Sequence, residues 1–143
     1  MNDEPGSPDD ASSRDGPVPT DPSRTELGRR AERLAAQLLL REGYRLLDRN
    51  YRIQSGEIDL IAEEDQILCF VEVRSRQNTE LGHPLETINH RKRRRLLRAA
   101  DHYLATQLAS KRPPFTRFDV ISVVYEPKLE VRLVRDAFDA TRY

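Results

Sequence analysis

The chain has 143 residues, of which 34% are charged and 37% are apolar, and its formal net charge at pH 7 is zero. This length suffices for one domain with a buried core, and the composition lacks the scarcity of aromatic residues that marks a fully disordered protein. No apolar run approaches the roughly 20 residues of a membrane-spanning helix, the N-terminus lacks the apolar segment of a secretory signal, and one cysteine excludes an intramolecular disulfide. We therefore expect a cytoplasmic protein with no membrane partner.

The charge is distributed unevenly between the first 24 residues and the rest. Residues 1–24 have six acidic side chains against two arginines, a net charge of −4, and they hold five of the nine prolines. A segment without hydrophobic periodicity cannot bury enough apolar area to offset its ordering entropy. Residues 1–24 are therefore predicted to be a disordered acidic, proline-rich tail. Residues 25–143 are predicted to form one folded domain, and the chain after the tail carries a net charge of +4.

Hydrophobic periodicity predicts the elements that follow the tail. A first helix is indicated by apolar residues at helical spacing from Leu27 to Leu38, and Gly43 stands where it would end. The remaining elements are strands over 44–53, 57–62 and 67–74, a second helix over 88–109, and strands over 117–125 and 129–134. The order α-β-β-β-α-β-β predicts an α/β (α+β) fold in which helices flank a mixed sheet.

The second and third strands are predicted to form a hairpin that collects acids on one face. Side chains alternate along a strand, so the apolar set Ile58, Leu60 and Ala62 should share a face with Cys69, Val71 and Val73. The opposite face then holds Glu57, Asp59, Glu72 and Arg74. An Asp65-Gln66 turn would place Asp59 directly across from Glu72, and a Glu64-Asp65 turn would make them diagonal neighbours. In both registers their Cβ atoms lie within roughly 4.5–8 Å.

Two carboxylates at that distance repel each other unless a cation joins them. Mg²⁺ is the oxygen-seeking ion that suits such a pair, and it usually retains water molecules for chemistry. An ordinary solvated sheet face, with a cross-strand ion pair between Glu57 and Arg74, explains the same spacing equally well. Both interpretations stay open on the spacing alone.

Two strings on this hairpin carry a resemblance to a known family. Residues 56–62 read Gly-Glu-Ile-Asp-Leu-Ile-Ala and residues 70–76 read Phe-Val-Glu-Val-Arg-Ser-Arg. Together they closely resemble the YraN family of uncharacterised bacterial proteins. Further resemblances are Gly28 and Glu32, the string Arg-Asn-Tyr-Arg at 49–52, and Arg-Phe-Asp-Val at 117–120. The resemblance covers about residues 25–140.

That family is similar to the restriction-endonuclease-like fold, particularly to Holliday-junction resolvases and the tRNA-endonuclease-like domain. The resemblance implies a D…ExK metal-nuclease pattern in which Asp59 and Glu72 bind Mg²⁺ or Mn²⁺, with the Val73 carbonyl as a further ligand. It also implies that Arg74 occupies the lysine position and that Glu32 holds the outer waters of the metal. Dimerisation is expected because junction resolvases work as homodimers.

Arg74 departs from the pattern, which prefers lysine there. An arginine can stabilise charge on a scissile phosphate, but it cannot accept a proton near neutral pH. The substitution is tolerable if the lysine acts electrostatically. It would weaken or abolish cleavage if the lysine orients or deprotonates water.

A cluster of bases begins the second helix, where the helix dipole disfavours cations. Contact with a nucleic-acid backbone, DNA in the first instance, is predicted for Arg91, Lys92, Arg94 and Arg95, together with Arg49 and Arg52. A solvated polar face is the alternative. The three histidines have no zinc-ligand spacing, and Cys69 is expected to be buried and unreactive. Asp119 is expected to pair with Arg117 or with a base of the hairpin, outside the metal site.

Three functional hypotheses follow from these residues. The first is a metal-dependent endonuclease-like protein that hydrolyses phosphodiesters of branched or otherwise structured nucleic acid. The second is a non-catalytic nucleic-acid-binding module that kept the fold and lost the chemistry at position 74. The third is a protein-interaction adaptor of the same fold, which predicts no nucleic-acid binding even at low salt.

Overall fold

Two helices cover the two faces of a single five-stranded sheet in the computed structural model, which describes residues 22–107 and 115–139. The elements are α1 (Pro22–Arg41), β1 (Arg45–Ile53), β2 (Gly56–Glu64), β3 (Ile67–Arg76), a 3-10 helix (Pro84–Thr87), α2 (His90–Thr106), β4 (Phe115–Val124) and β5 (Glu130–Val134). Their order confirms the predicted α-β-β-β-α-β-β arrangement. The helix α1 takes in the last three residues of the predicted tail, and the rest of that tail lies outside the described residues.

The strands lie in their sequence order, β1-β2-β3-β4-β5. The β3–β4 pair is parallel and the other three pairs are antiparallel. Parallel neighbours need a long connection, and α2 supplies it by crossing one face of the sheet. Neither described helix is long and apolar enough to cross a bilayer. The predicted end of the second helix at residue 109 falls outside the described residues, which show α2 ending at Thr106.

The core consists of two separate apolar clusters, one on each face of the sheet. Under α2, its buried residues Leu96, Ala99, Ala100 and Tyr103 pack on Ile61, Phe70 and Phe118. Under α1, its buried residues Ala31, Ala35, Ala36 and Leu39 pack on Leu60, Val71 and Ile121. Alternate residues of β2 and β3 thus serve opposite clusters, as strand geometry requires. The hairpin is consequently held rigidly between two layers.

The β2–β3 hairpin closes with the two-residue turn Asp65-Gln66. Both residues have positive φ, 50° and 69°, the conformation that matches the twist of a tight hairpin. The register pairs Leu60 with Val71 and Ala62 with Cys69. Of the two turns compatible with the sequence, this is the one that sets Asp59 across from Glu72.

The prediction that side chains alternate strictly along β2 is wrong at one residue, Ile58. Ile58 packs in the α2-side cluster, whereas Leu60 and Ala62 pack in the α1-side cluster. The change of face coincides with a distortion in β1, where Asn50 has a φ of +52°. The register pairs Tyr51 with Ile58 and Arg49 with Leu60, so Asn50 lies opposite Asp59. The face that β2 presents therefore changes at the point where the neighbouring strand is irregular.

A buried polar network braces the α1 side of the sheet near the hairpin turn. The fully buried carboxylate of Asp119 accepts hydrogen bonds from Tyr44 Oη at 2.8 Å, Arg117 Nε at 2.8 Å and the Asp136 backbone N–H at 3.0 Å. Ion pairs with Arg135 and Arg117 lower the pKa of Glu64 to about 2. The predicted pairing of Asp119 with Arg117 is confirmed. Cys69 is buried as predicted, and burial raises the pKa of its thiol to about 12.

Candidate metal and phosphate site

The structure brings the carboxyl groups of Asp59 and Glu72 into direct hydrogen-bonded contact. We call these two residues the acid pair. The β2–β3 register ends at the pair of Leu60 and Val71, so Asp59 lies where the ladder opens. The Val73 backbone N–H donates to Asp59 Oδ2 at 2.8 Å. The side chain of Asp59 therefore takes a hydrogen bond that a backbone carbonyl would accept in a regular ladder, which fixes its carboxylate beside Glu72.

Burial is the main reason that the acid pair resists ionisation. It raises the pKa of Asp59 well above its usual value, and the nearby charges of Glu72 and Glu32 raise it further. Burial also raises the pKa of Glu72, whereas its hydrogen bond with Asp59 and the cations Lys92 and Arg74 oppose that rise. Because the two groups are coupled, their protons belong to the pair. Lys92 and Arg74 favour the charged form of Glu72, and the two carboxyl groups together resist carrying two negative charges.

A groove of about 360 Å³ opens beside Glu72 and brings acids and bases together. Its described lining consists of Glu57, Glu72, Asn89, Arg91, Lys92, Arg95 and Leu96. The acids come from the hairpin, and the bases come from the first two turns of α2. The side chain of Asn89 caps that helix by accepting a hydrogen bond from the Lys92 backbone N–H at 3.0 Å. This cap fixes the residue at which α2 begins. The first two turns of the helix, which carry the bases, therefore lie beside the acid pair.

Gly56 determines how closely α2 approaches the hairpin. A Cβ built on Gly56 would lie 2.0 Å from the Arg95 carbonyl oxygen and 3.3 Å from the Ala99 backbone nitrogen. No residue with a side chain fits that distance without displacing the backbone of α2. The missing side chain therefore lets Arg91, Lys92 and Arg95 reach the groove.

The other predicted site residues differ in how near they lie to the acid pair. Glu32 on α1 is half-buried and close enough for its charge to raise the pKa of Asp59. Arg74 on β3 is half-buried, and its charge lowers the pKa of Glu72. Both therefore lie around the pair as the family pattern implies. The guanidinium of Arg74 therefore lies on the Glu72 side of the acid pair.

Three predicted phosphate contacts lie farther out. Arg52 on β1 reaches the groove indirectly, because its Nε lies 3.5 Å from an oxygen of Glu57, with both side chains about half exposed. Arg49 is exposed on β1 opposite Leu60, and Arg94 is exposed on α2 outside the described groove lining. Glu57, which the solvated-face interpretation pairs with Arg74, forms an ion pair with Arg52.

The donor set of the acid pair fits Mg²⁺ or Mn²⁺ better than zinc. Among the described residues, no group of three or more histidine, cysteine, aspartate or glutamate side chains is arranged to hold a metal ion. Zinc sites usually need three or four such ligands. Mg²⁺ commonly binds through one or two carboxylates and keeps several waters. The two carboxyl groups of the acid pair meet that requirement. Their negative charges repel each other when both are ionised, and a bound divalent cation would offset that repulsion.

Sequence reasoning did not find that Lys92 and Glu72 line one groove, where the charge of Lys92 favours the ionised form of Glu72. Lys92 was assigned to backbone binding as one of a row of five bases, and all five fan out around the helix. The turn of α2 that meets the hairpin is set by Gly56, which the sequence presents as an ordinary turn residue after Ser55. No local pattern distinguishes Lys92 from its neighbours.

The sequence model of the uncharacterised protein family UPF0102, which is the YraN family, matches residues 31–123. The chain belongs to this family. A UPF0102 protein of Symbiobacterium thermophilum is 46% identical over 116 residues, covering 80% of this chain and 97% of the relative. One from Chlorobium chlorochromatii is 43% identical over 123 residues (81% and 93%), and one from Lachnoclostridium phytofermentans is 44% identical over 106 residues (74% and 86%).

The family model and these relatives confirm the resemblance that the hairpin strings indicate. The names of these UPF0102 proteins state no activity, substrate or cofactor. The family therefore identifies the chain without assigning its chemistry, and any function has to be argued from the site.

Proposed function

We propose that this UPF0102 protein is a metal-dependent phosphodiesterase that acts on structured nucleic acid. The observation that carries the proposal is the position of the acid pair beside a groove lined by three bases of α2. Phosphodiester hydrolysis needs a cation that carboxylates can hold and positive groups that bind the phosphate. Both requirements meet at Glu72.

In this proposal Asp59 and Glu72 hold a Mg²⁺ or Mn²⁺ ion, which when bound would activate a water molecule and polarise the phosphate. The Val73 N–H keeps the Asp59 carboxylate oriented, at a donor–acceptor distance of 2.8 Å. Glu32 on α1 is placed to hold water on the far side of Asp59. Arg91 and Arg95 bind phosphate oxygens in the groove, and neither they nor Arg74 transfers a proton, because guanidinium stays protonated.

Cleavage of branched DNA is the direct test of the function. We expect the wild-type protein to nick a labelled four-way or flapped DNA with Mg²⁺ or Mn²⁺, and to leave it intact in EDTA. Gel analysis of the products measures this, with linear duplex as the substrate control. The variant Asp59→Ala should yield no product. Nicking that survives Asp59→Ala would contradict the assignment of the metal site.

Lys92 is expected to supply the ammonium that this chain lacks at position 74, where the D…ExK pattern has lysine. Lys92 lines the groove with Glu72, and its charge lowers the pKa of the Glu72 carboxyl more than the charge of Arg74 does. Lys92→Met should lower the cleavage rate roughly 100- to 1000-fold, as the loss of one charge-stabilising donor does elsewhere. Arg74→Lys should change that rate less than about tenfold, because the ammonium is already provided.

The same two variants test the non-catalytic alternative, which the arginine at position 74 favours. A silent wild-type protein that gains cleavage with Arg74→Lys would identify a decayed nuclease. Single-turnover rates on one branched substrate distinguish the outcomes. Arg94→Met is the matched control, since it removes an exposed cation from the same helix outside the described lining.

A further inference from the structure

Four bases form a straight line along the exposed face of α2. Successive residues of a helix are turned by about 100°, so Arg91, Arg95, Arg98 and His102 fall within roughly 60° of one another. All four side chains are exposed. They follow each other at spacings of four, three and four residues, which makes each the surface neighbour of the next. We call these residues the basic stripe.

The arginines of the basic stripe form no ion pair, although acids lie near both ends of the stripe. Among the side chains that the structure describes, no salt bridge involves Arg91, Arg95 or Arg98. Glu57 and Glu72 line the groove with Arg91 and Arg95, and Asp101, the one acid of α2, follows Arg98 by three residues. The first turn has no acid to compensate the positive end of the helix dipole. The three arginines are thus available to bind an anion.

The stripe leads away from the candidate active site. Arg91 and Arg95 line the groove beside Glu72, and Arg98 and His102 continue the line toward the C-terminus of α2. The distance from Arg91 to His102 is about 16 Å along the helix axis, at 1.5 Å per residue. One strand of a duplex carries a phosphate about every 3.4 Å along its axis. The stripe therefore matches roughly five nucleotides.

The far end of the stripe is held in a defined orientation. His102 Nδ1 is hydrogen-bonded to the Tyr51 hydroxyl, and the two rings lie 5.9 Å apart. Tyr51 itself packs edge-on against Tyr103 at 5.1 Å in the core beneath α2. The Tyr51 hydroxyl therefore fixes the position of the exposed His102 ring at the end of the stripe.

We propose that the basic stripe binds the phosphates of one nucleic-acid strand over about five nucleotides on one side of the cleaved bond. This inference rests on the proposed function, since the groove defines where the stripe starts. The stripe contacts only phosphates, so it sets the length and direction of the substrate and not its sequence. Substrates whose arm is shorter than the stripe should bind weakly.

Binding without metal tests the stripe independently of cleavage. Fluorescence anisotropy in EDTA would compare the wild type with Arg91→Ala/Arg95→Ala/Arg98→Ala on a branched DNA with arms of about ten base pairs. The triple variant should bind roughly 10- to 100-fold more weakly at about 0.1 M salt. The slope of log affinity against log salt should fall by about 2.7, since each phosphate contact contributes about 0.9.

A second triple variant provides the matched control. Arg29, Arg41 and Arg132 are exposed arginines on α1 and β5, away from α2. Their joint replacement by alanine removes the same charge and should change the affinity less than about threefold. An equal loss in both triple variants would overturn the stripe, because it would show a diffuse effect of net charge. Unaltered binding by the α2 variant would overturn it as well.

Arm length separates the stripe from the proposed function. Shortening the arms to about three base pairs should weaken the wild type and leave the α2 triple variant unaffected, with DNA and RNA arms compared in parallel. Equal sensitivity of both proteins to arm length would refute the inference. If the wild type shows these binding effects and never cleaves with metal, the stripe stands as a binding surface and the phosphodiesterase proposal fails.

Discussion

Replacing Asp59 by asparagine is expected to abolish cleavage and to make the metal-free protein more stable. The asparagine oxygen can still accept the Val73 N–H, and its amide can donate to Glu72, so the contacts of Asp59 are kept. The change removes one of two buried carboxyl groups that together resist carrying two negative charges. Relief of that repulsion should stabilise the protein by on the order of 1–3 kcal/mol, since each unit of pKa shift corresponds to about 1.4 kcal/mol. Loss of function and gain of stability should therefore occur in one variant.

The stability difference should depend on pH in a defined direction. The pKa of Asp59 in the folded protein lies above its unfolded value, so the folded state binds this proton more tightly. Its contribution to stability is fully present below the unfolded pKa and is lost as pH rises through the folded pKa. Asparagine does not titrate. The advantage of Asp59→Asn should be small near pH 4 and largest at pH 8, as measured by urea denaturation in EDTA.

Metal provides the complementary measurement. Mn²⁺ should raise the Tm of the wild type, because it binds only the folded protein, and should leave Asp59→Asn unchanged. Asp101→Asn is the matched control, since Asp101 is exposed on α2 and its replacement should alter neither the pH dependence nor the response to Mn²⁺. A metal-free Asp59→Asn protein that is less stable than the wild type at pH 8 would show that the acid pair is an ordinary structural contact.

The acid pair was predictable because it depends on local rules. Alternation along two strands and the length of one turn suffice to place Asp59 across from Glu72, and the structure has that turn at Asp65-Gln66. Ile58 was assigned to the wrong face because the distortion at Asn50 belongs to the neighbouring strand. Alternation within a strand carries no information about an irregularity in its partner.

Helix α1 illustrates the same limit. Its spacing predicted an apolar stripe of Leu27, Ala31, Leu34, Ala35 and Leu38. Ala31 and Ala35 are buried against the sheet as predicted, but the other deeply buried residues of the helix are Ala36 and Leu39. Leu27 is 39% exposed. A helical wheel predicts the direction of the buried face of α1 to within one residue. The size of the residues at the contact then decides how closely the helix approaches, and three alanines allow close approach.

The arrangement of bases around Glu72 depends on tertiary contacts and was not predictable. Five consecutive bases point in five directions, and only the position of α2 on the hairpin decides that Arg91, Lys92 and Arg95 line the groove while Arg94 does not. That position follows from the contact between Gly56 and the Arg95 carbonyl. Residues 56–62 therefore contribute two parts of the site. Asp59 is one half of the acid pair, and Gly56 is the residue of β2 on which α2, the helix that carries the bases, packs.

Replacing Gly56 by alanine should consequently damage both stability and cleavage. The new methyl group would lie 2.0 Å from the Arg95 carbonyl oxygen, a backbone atom that cannot rotate away. Displacing α2 should lower the free energy of unfolding by about 2–3 kcal/mol, after a gain of about 0.5–1 kcal/mol from the reduced freedom of the unfolded chain. Urea denaturation measures this loss.

Cleavage by Gly56→Ala should fall by roughly 100-fold under conditions where the variant is fully folded, because a shift of about 1 Å in Lys92 suffices to misplace it from the phosphate. Gly28→Ala is the control: no heavy atom lies within 4 Å of a Cβ built there, on α1. It should raise stability by about 0.5–1 kcal/mol and leave the cleavage rate unchanged. If Gly56→Ala is as stable and as active as Gly28→Ala, α2 does not rest on β2 through this glycine, and the bases reach Glu72 by another route.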